Sequence, residues 1–144
     1  MKIILDTNVI IAAFASRGLC SAVFELCLDR FDVIVSEAIL AEVSTNLERK
    51  IKLPLPQCQL IESYLRENCL VSGTDDLDES LCRDKNDIHV LGLAHRSLAE
   101  YIITGDQDLL CLVAYKDTKI VTPRGFWGAI VITGQERGQP HRIS

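Results

Sequence analysis

Short apolar runs that stop at an acid or a turn, each followed by a stretch with helical spacing, organise this chain. Ile3-Ile4-Leu5 is unbroken apolar sequence, Asp6, Thr7 and Asn8 interrupt it, and Val9 to Phe14 resumes as an apolar helical stretch. A buried strand emptying into a helix has this pattern. Arg17-Gly18 breaks the helix, and residues 20–29 resume helical spacing with Ala22, Val23, Leu26 and Cys27 on one side. Phe31 to Val35 predicts a second strand. Ser36 then caps a helix running to about Lys50 along the stripe Leu40, Val43, Leu47 and Ile51. Pro54 and Pro56 end that helix, and another is expected from about Gln57 to Glu67.

Leu70-Val71 reads as a third strand and residues 72–80 as a polar, acidic loop. A helix is expected over 87–98, a strand over 100–104, a short helix over 109–113 and a last strand over 119–121. Pro123 opens a final helix over 124–131. Strands and helices alternate throughout, so the expected class is α/β with a central parallel sheet. Residues 1–131 form one domain in this reading, and 132–144 a polar, mobile tail.

Composition narrows the class. A 48% hydrophobic and 24% charged chain of 144 residues fits a single compact globule with a sizeable core. No apolar stretch reaches the length of a membrane span, and the N-terminal run is too short for a signal peptide. The six cysteines show no Cys-x-x-Cys spacing and read as reduced, buried small hydrophobes, which places the protein in the cytoplasm. The net charge of −5 excludes a broad basic face that wraps a polyanion. It leaves room for a nuclease, because acids gathered around metal ions raise the negative count.

Taken singly, each candidate acid has an ordinary explanation. Asp6 suits a helix N-cap, and Glu42 a solvated helix charge. Asp84 and Asp87 suit a cap and a first-turn acid, as do Asp106 and Asp108. Together they ask for more. Asp6 and Asp106 both follow apolar strands directly, so both belong on one edge of a parallel sheet, and Glu42 and Asp87 come from helices able to close over it. Gathered carboxylates repel unless cations hold them, and an oxygen-only set suits Mg²⁺ or Mn²⁺. No thiolate or imidazole spacing points to zinc. Metal-assisted phosphodiester hydrolysis is the chemistry such a site supports.

Leu-Asp-Thr-Asn-Val at 5–9, Glu42 in the third helix, Arg-Asp-Lys-Asn-Asp at 83–87 and Ile-Thr-Gly-Asp-Gln-Asp-Leu-Leu at 103–110, in that order, resemble a PIN domain. The closing Val-Thr-Pro-Arg-Gly-Phe-Trp at 121–127 is also similar to the end of the subfamily that includes VapC-type toxins of toxin–antitoxin systems. The resemblance spans about residues 1–131 and implies a three-layer α/β/α fold and a Mg²⁺- or Mn²⁺-dependent endoribonuclease. It implies an acidic quartet of Asp6, Glu42, Asp87 and Asp106, with Asp108 as a further metal-side acid. Asn8 and Thr104 match supporting polar positions, and Arg83 is a weaker candidate for substrate. An RNA substrate, a cognate antitoxin and a homodimer are the implied partners.

Two other classes compete. One is a PIN module with a decayed site that binds RNA or protein, which the intact set of acids opposes. The other is a phosphatase of the haloacid-dehalogenase type, whose Asp-x-Asp pair is missing because residue 8 is Asn. His89, His95 and the aromatic pair Phe126-Trp127 read as helix-surface or core residues, and His141 falls in the tail. The helices flanking Pro54-Leu55-Pro56 offer an apolar surface to a partner.

Overall fold

A computed structural model describes residues 1–131; the expected tail, with His141, lies outside the described residues. In chain order the elements are β1 (Lys2–Leu5), α1 (Thr7–Ala15), α2 (Leu19–Arg30), β2 (Asp32–Val35), α3 (Glu37–Arg49), α4 (Leu55–Asn68) and β3 (Leu70–Val71). Then come α5 (Ile88–Ser97), β4 (Tyr101–Ile103), α6 (Gln107–Leu110), β5 (Ala114–Tyr115) and β6 (Thr118–Val121). Residues 123–131 are helical and form α7. The sheet order is β3-β2-β1-β4-β6-β5, parallel except for the β5–β6 pair. The two-residue β5 carries too little pattern to be read from sequence, and it makes an otherwise parallel sheet mixed.

Strand order sets the position of the site. From β1 the chain winds outward through β2 to β3, then returns to lay β4 on the other side of β1 and continues to β6. Right-handed crossovers put the helices of the two halves on opposite faces, giving three layers. The reversal lies between β1 and β4, and α/β sheets open a crevice beyond the strand ends at such a switch point. Register fixes the geometry there: Leu5 pairs with Ile103, and the Asp6 amide donates to the Ile103 carbonyl at 2.9 Å.

The interior follows the apolar runs. Ile3, Ile4, Leu5, Ile102 and Ile103 are fully buried, covered by Ile10, Leu40, Leu47, Leu91 and Leu93. Phe126 is fully buried and meets the rings of Tyr101 and Phe31 edge-on at 5.2 and 6.2 Å, so it serves packing. All six cysteines are free; four are buried, Cys20 is half-buried, and Cys111 is exposed, against the expectation of burial. Leu55 and Leu60 on α4 remain exposed. No single helix among the described residues is long and apolar enough to cross a membrane.

The acidic loop is pinned to α5. The Asp75 amide donates to the Gly92 carbonyl at 3.1 Å, and a Cβ on Gly92 would stand 2.2 Å from the Asp75 carbonyl oxygen. Backbone cannot yield cheaply there. Gly92→Ala should destabilise the fold by about 1–3 kcal/mol through overpacking. Gly128, helical with open space at its Cβ position, should gain up to about 1 kcal/mol on the same change. Urea unfolding of the two variants checks both signs.

A candidate metal centre at the carboxyl edge of the sheet

Asp6 is placed by β1 and held by its neighbours. Its side chain accepts from the Thr7 amide at 2.8 Å, capping α1, and from the Thr104 hydroxyl at 2.7 Å. Thr104, fully buried just past β4, also accepts from the Asp106 amide at 2.9 Å. One hydroxyl therefore ties the ends of the two central strands together. Burial pushes the Asp6 carboxyl above its ordinary range, against the two hydrogen bonds, and the Asp106 and Glu42 charges add to the rise.

Glu42 comes from α3, which Ser36 starts by accepting the Ile39 amide at 3.1 Å. Its two oxygens are occupied: Thr7 Oγ1 donates to one at 2.6 Å, and His89 Nε2 lies 3.2 Å from the other. Burial opposes its ionisation, but the hydrogen bonds from His89 and Thr7 outweigh burial and hold Glu42 below its ordinary range. The same contact with Glu42 raises His89. His89 is thus part of the site rather than a helix-surface residue. Its i+2 relation to Asp87 matches no helical face pattern, so the sequence carried no signal for it.

The segment before α5 supplies two acids. Lys85–Asp87 forms a single 3-10 turn, capped by Asp84 through the Asn86 amide at 2.9 Å. Asp87 is 9% exposed, and its Oδ2 is buried without a hydrogen-bond partner. Burial, then the carboxyl of Asp106 close beside it, then the charges of Asp6 and Asp84 push it up to about 7. Asp106 caps α6 by accepting the Asp108 amide at 2.9 Å, which starts that helix two residues earlier than the sequence pattern suggests.

A cleft of about 310 Å³ gathers Asp6, Glu42, Asp84, Asp87 and Asp106 on its walls. Carboxylate oxygens of Asp84, Asp87 and Asp108 also lie within 4.8 Å of one another. Asp84 therefore lines the cleft beside Asp87, the acid on which the sequence pattern settles. Asn8 lines the cleft, but the donor to Asp6 at this corner is the Thr7 amide. Arg83 is exposed and is absent from the lining. A buried carboxylate oxygen without a donor among converging hard-oxygen groups fits a divalent cation of the Mg²⁺ or Mn²⁺ kind.

Residues 2–108 match the model of the PIN domain. The chain belongs to the PIN-domain family. No curated protein matches it significantly in sequence. Among solved structures, this PIN domain is similar in fold to a chain in the crystal structure of VapBC2 from Rickettsia felis bound to a DNA fragment from their promoter. The TM-score is 0.58 at 16% identity, covering 83% of this chain and 97% of that one.

The raised Asp87 gives a pH signature. Its folded value of about 7 exceeds the ordinary 3.8, so the native state keeps a proton that the unfolded chain releases between those values. This group's contribution is full below about pH 4 and is lost as pH rises through 7. In EDTA, Asp87→Asn should raise stability at pH 7.5 by on the order of 2 kcal/mol and leave it nearly unchanged at pH 4. Urea midpoints at the two pH values decide it. Saturating Mn²⁺ should raise the wild-type melting temperature at pH 7.5, as ligand linkage requires, and Asp87→Asn should lose most of that gain.

Proposed function

We propose that this PIN domain is a metal-dependent endoribonuclease and the toxin of a toxin–antitoxin pair. The observation that carries the reading is the convergence of Asp6, Glu42, Asp84, Asp87 and Asp106 on one cleft, with the Asp87 Oδ2 left without a donor. Asp6, Asp87 and Asp106, with Glu42 and Asp108 flanking, are the residues that would hold Mg²⁺ or Mn²⁺. When bound, such a cation supplies charge neutralisation at the phosphodiester and a lowered pKa for the attacking water.

The protein's own part is positioning. Thr104 and the Thr7 amide fix the Asp6 carboxylate, so it spends no free energy reorienting when the site is loaded. Thr7 and His89 hold Glu42 ionised and directed into the cleft. Leu5, Ile103 and Leu109, adjacent in the chain to Asp6, Thr104 and Asp108, are fully buried and anchor these segments in the core. RNA as substrate follows from the PIN resemblance. The fold likeness to a chain of VapBC2 supports a protein antitoxin as partner; a homodimer follows from the PIN resemblance, and a cytoplasmic setting from the reading of the cysteines as reduced thiols.

The test is cleavage of a mixed panel of RNA and DNA by wild type and Asp6→Asn, in Mg²⁺, Mn²⁺ and EDTA. RNA cleavage that needs metal and falls at least about a hundredfold in Asp6→Asn is the expected result, the scale typical of losing a group that organises transition-state charge. Undiminished cleavage by the variant would sink the assignment. No cleavage by either protein, with no Asp6-dependent Mn²⁺ binding, would favour a decayed module. Thr104→Val should cost less than Asp6→Asn, because it removes one of two donors to Asp6, and kcat measured on the same substrate checks the order.

A further inference from the structure

One side of α3 faces the cleft with Glu42, Asn46 and Lys50, residues four apart and therefore stacked along one helix face. Glu42 reaches the acidic centre, Asn46 stands half-buried one turn on, and Lys50 is the exposed C-cap residue. The axial offset from Glu42 to Lys50 is roughly 12 Å along the helix. Lys50 is the one Lys or Arg among the described residues lining the cleft, although five acids share that lining. No carboxylate lies within ion-pairing distance of it among the described residues. Its charge is therefore available to an anion entering the cleft from solvent.

We propose that Lys50, with Asn46 beside it, binds a backbone phosphate flanking the scissile one and so fixes the track of a single-stranded substrate along α3. The offset from Glu42 is too long for both residues to serve one phosphate. A lysine acts on phosphate as a point charge with three donors, and the Asn46 amide offers a neutral donor between the two positions. Phosphate contacts of this kind set position and register without reading sequence. The inference rests on the nuclease reading for its substrate class. A cation at the carboxyl end of a helix also suits the helix dipole, a role that would affect stability alone.

The experiment measures binding of a labelled single-stranded oligoribonucleotide by fluorescence anisotropy across a salt series, with Ca²⁺ replacing Mg²⁺ to slow cleavage. Wild type, Lys50→Ala, Lys50→Arg and the off-cleft control Lys119→Ala are compared, with melting temperatures confirming that each is folded. Lys50→Ala should weaken binding by about three- to tenfold at low salt and flatten the slope of log Kd against log salt by about 0.7, one single-strand phosphate contact. Lys50→Arg should restore most of the slope, and Lys119→Ala should match wild type. Equal affinity and slope for wild type and Lys50→Ala, or no binding by wild type, would overturn the proposal. Cleavage in Mg²⁺ and Mn²⁺, run in parallel, separates the two readings. Lys50-dependent binding with neither metal-dependent cleavage nor Asp6-dependent Mn²⁺ binding would sink the nuclease and leave Lys50 as a phosphate contact on a bound strand, and cleavage without Lys50-dependent binding would do the reverse.

Discussion

Carboxylates crowded at one edge of a sheet repel one another, and this site exists because the backbone prevents their separation. Asp6 and Asp106 leave adjacent central strands whose pairing holds Leu5 opposite Ile103, while Asp87 enters from the turn that opens α5. None can retreat without breaking a strand pair or a helix start. The repulsion is instead relieved group by group. Asp6 takes two hydrogen bonds, Glu42 takes a hydroxyl and an imidazole, and Asp87, which has no donor to its buried Oδ2, rises to about 7. The stress concentrates on Asp87, where a cation would relieve it most.

Capping and chemistry use the same side chains. Asp6, Asp84 and Asp106 each accept the backbone amide that starts a helical turn, leaving their remaining oxygen capacity for the cleft or its supports. The capping explanation of these acids and the functional one are therefore both true, because a carboxylate has more acceptor positions than one cap consumes. Capping also fixes each carboxyl before any ligand arrives, so loading the site requires little reorganisation. A net charge of −5 is compatible with nucleic-acid chemistry on this arrangement, since the negative charge is gathered where cations are wanted.

The α/β alternation, strands read at 3–5, 31–35 and 100–104 and found at Lys2–Leu5, Asp32–Val35 and Tyr101–Ile103, the Ser36 cap and the burial of the apolar stripes were legible in the sequence, because these depend on local periodicity and cap chemistry. The sequence also indicated that Asp6 and Asp106 share an edge, since both follow apolar strands of a parallel sheet. The remaining features come from long-range packing. That β4 lies beside β1, 98 residues away for the Thr104–Asp6 pair, is a matter of strand order that no local pattern encodes. The same holds for His89 meeting Glu42, for Thr7 donating to both Asp6 and Glu42 while Asn8 lines the cleft, for Asp84 lying beside Asp87, and for Lys50 rather than Arg83 lining the cleft. These depend on how α1, α3 and the segment opening α5 meet at the sheet end, where a rotation of one residue along a helix turns a side chain by about a hundred degrees.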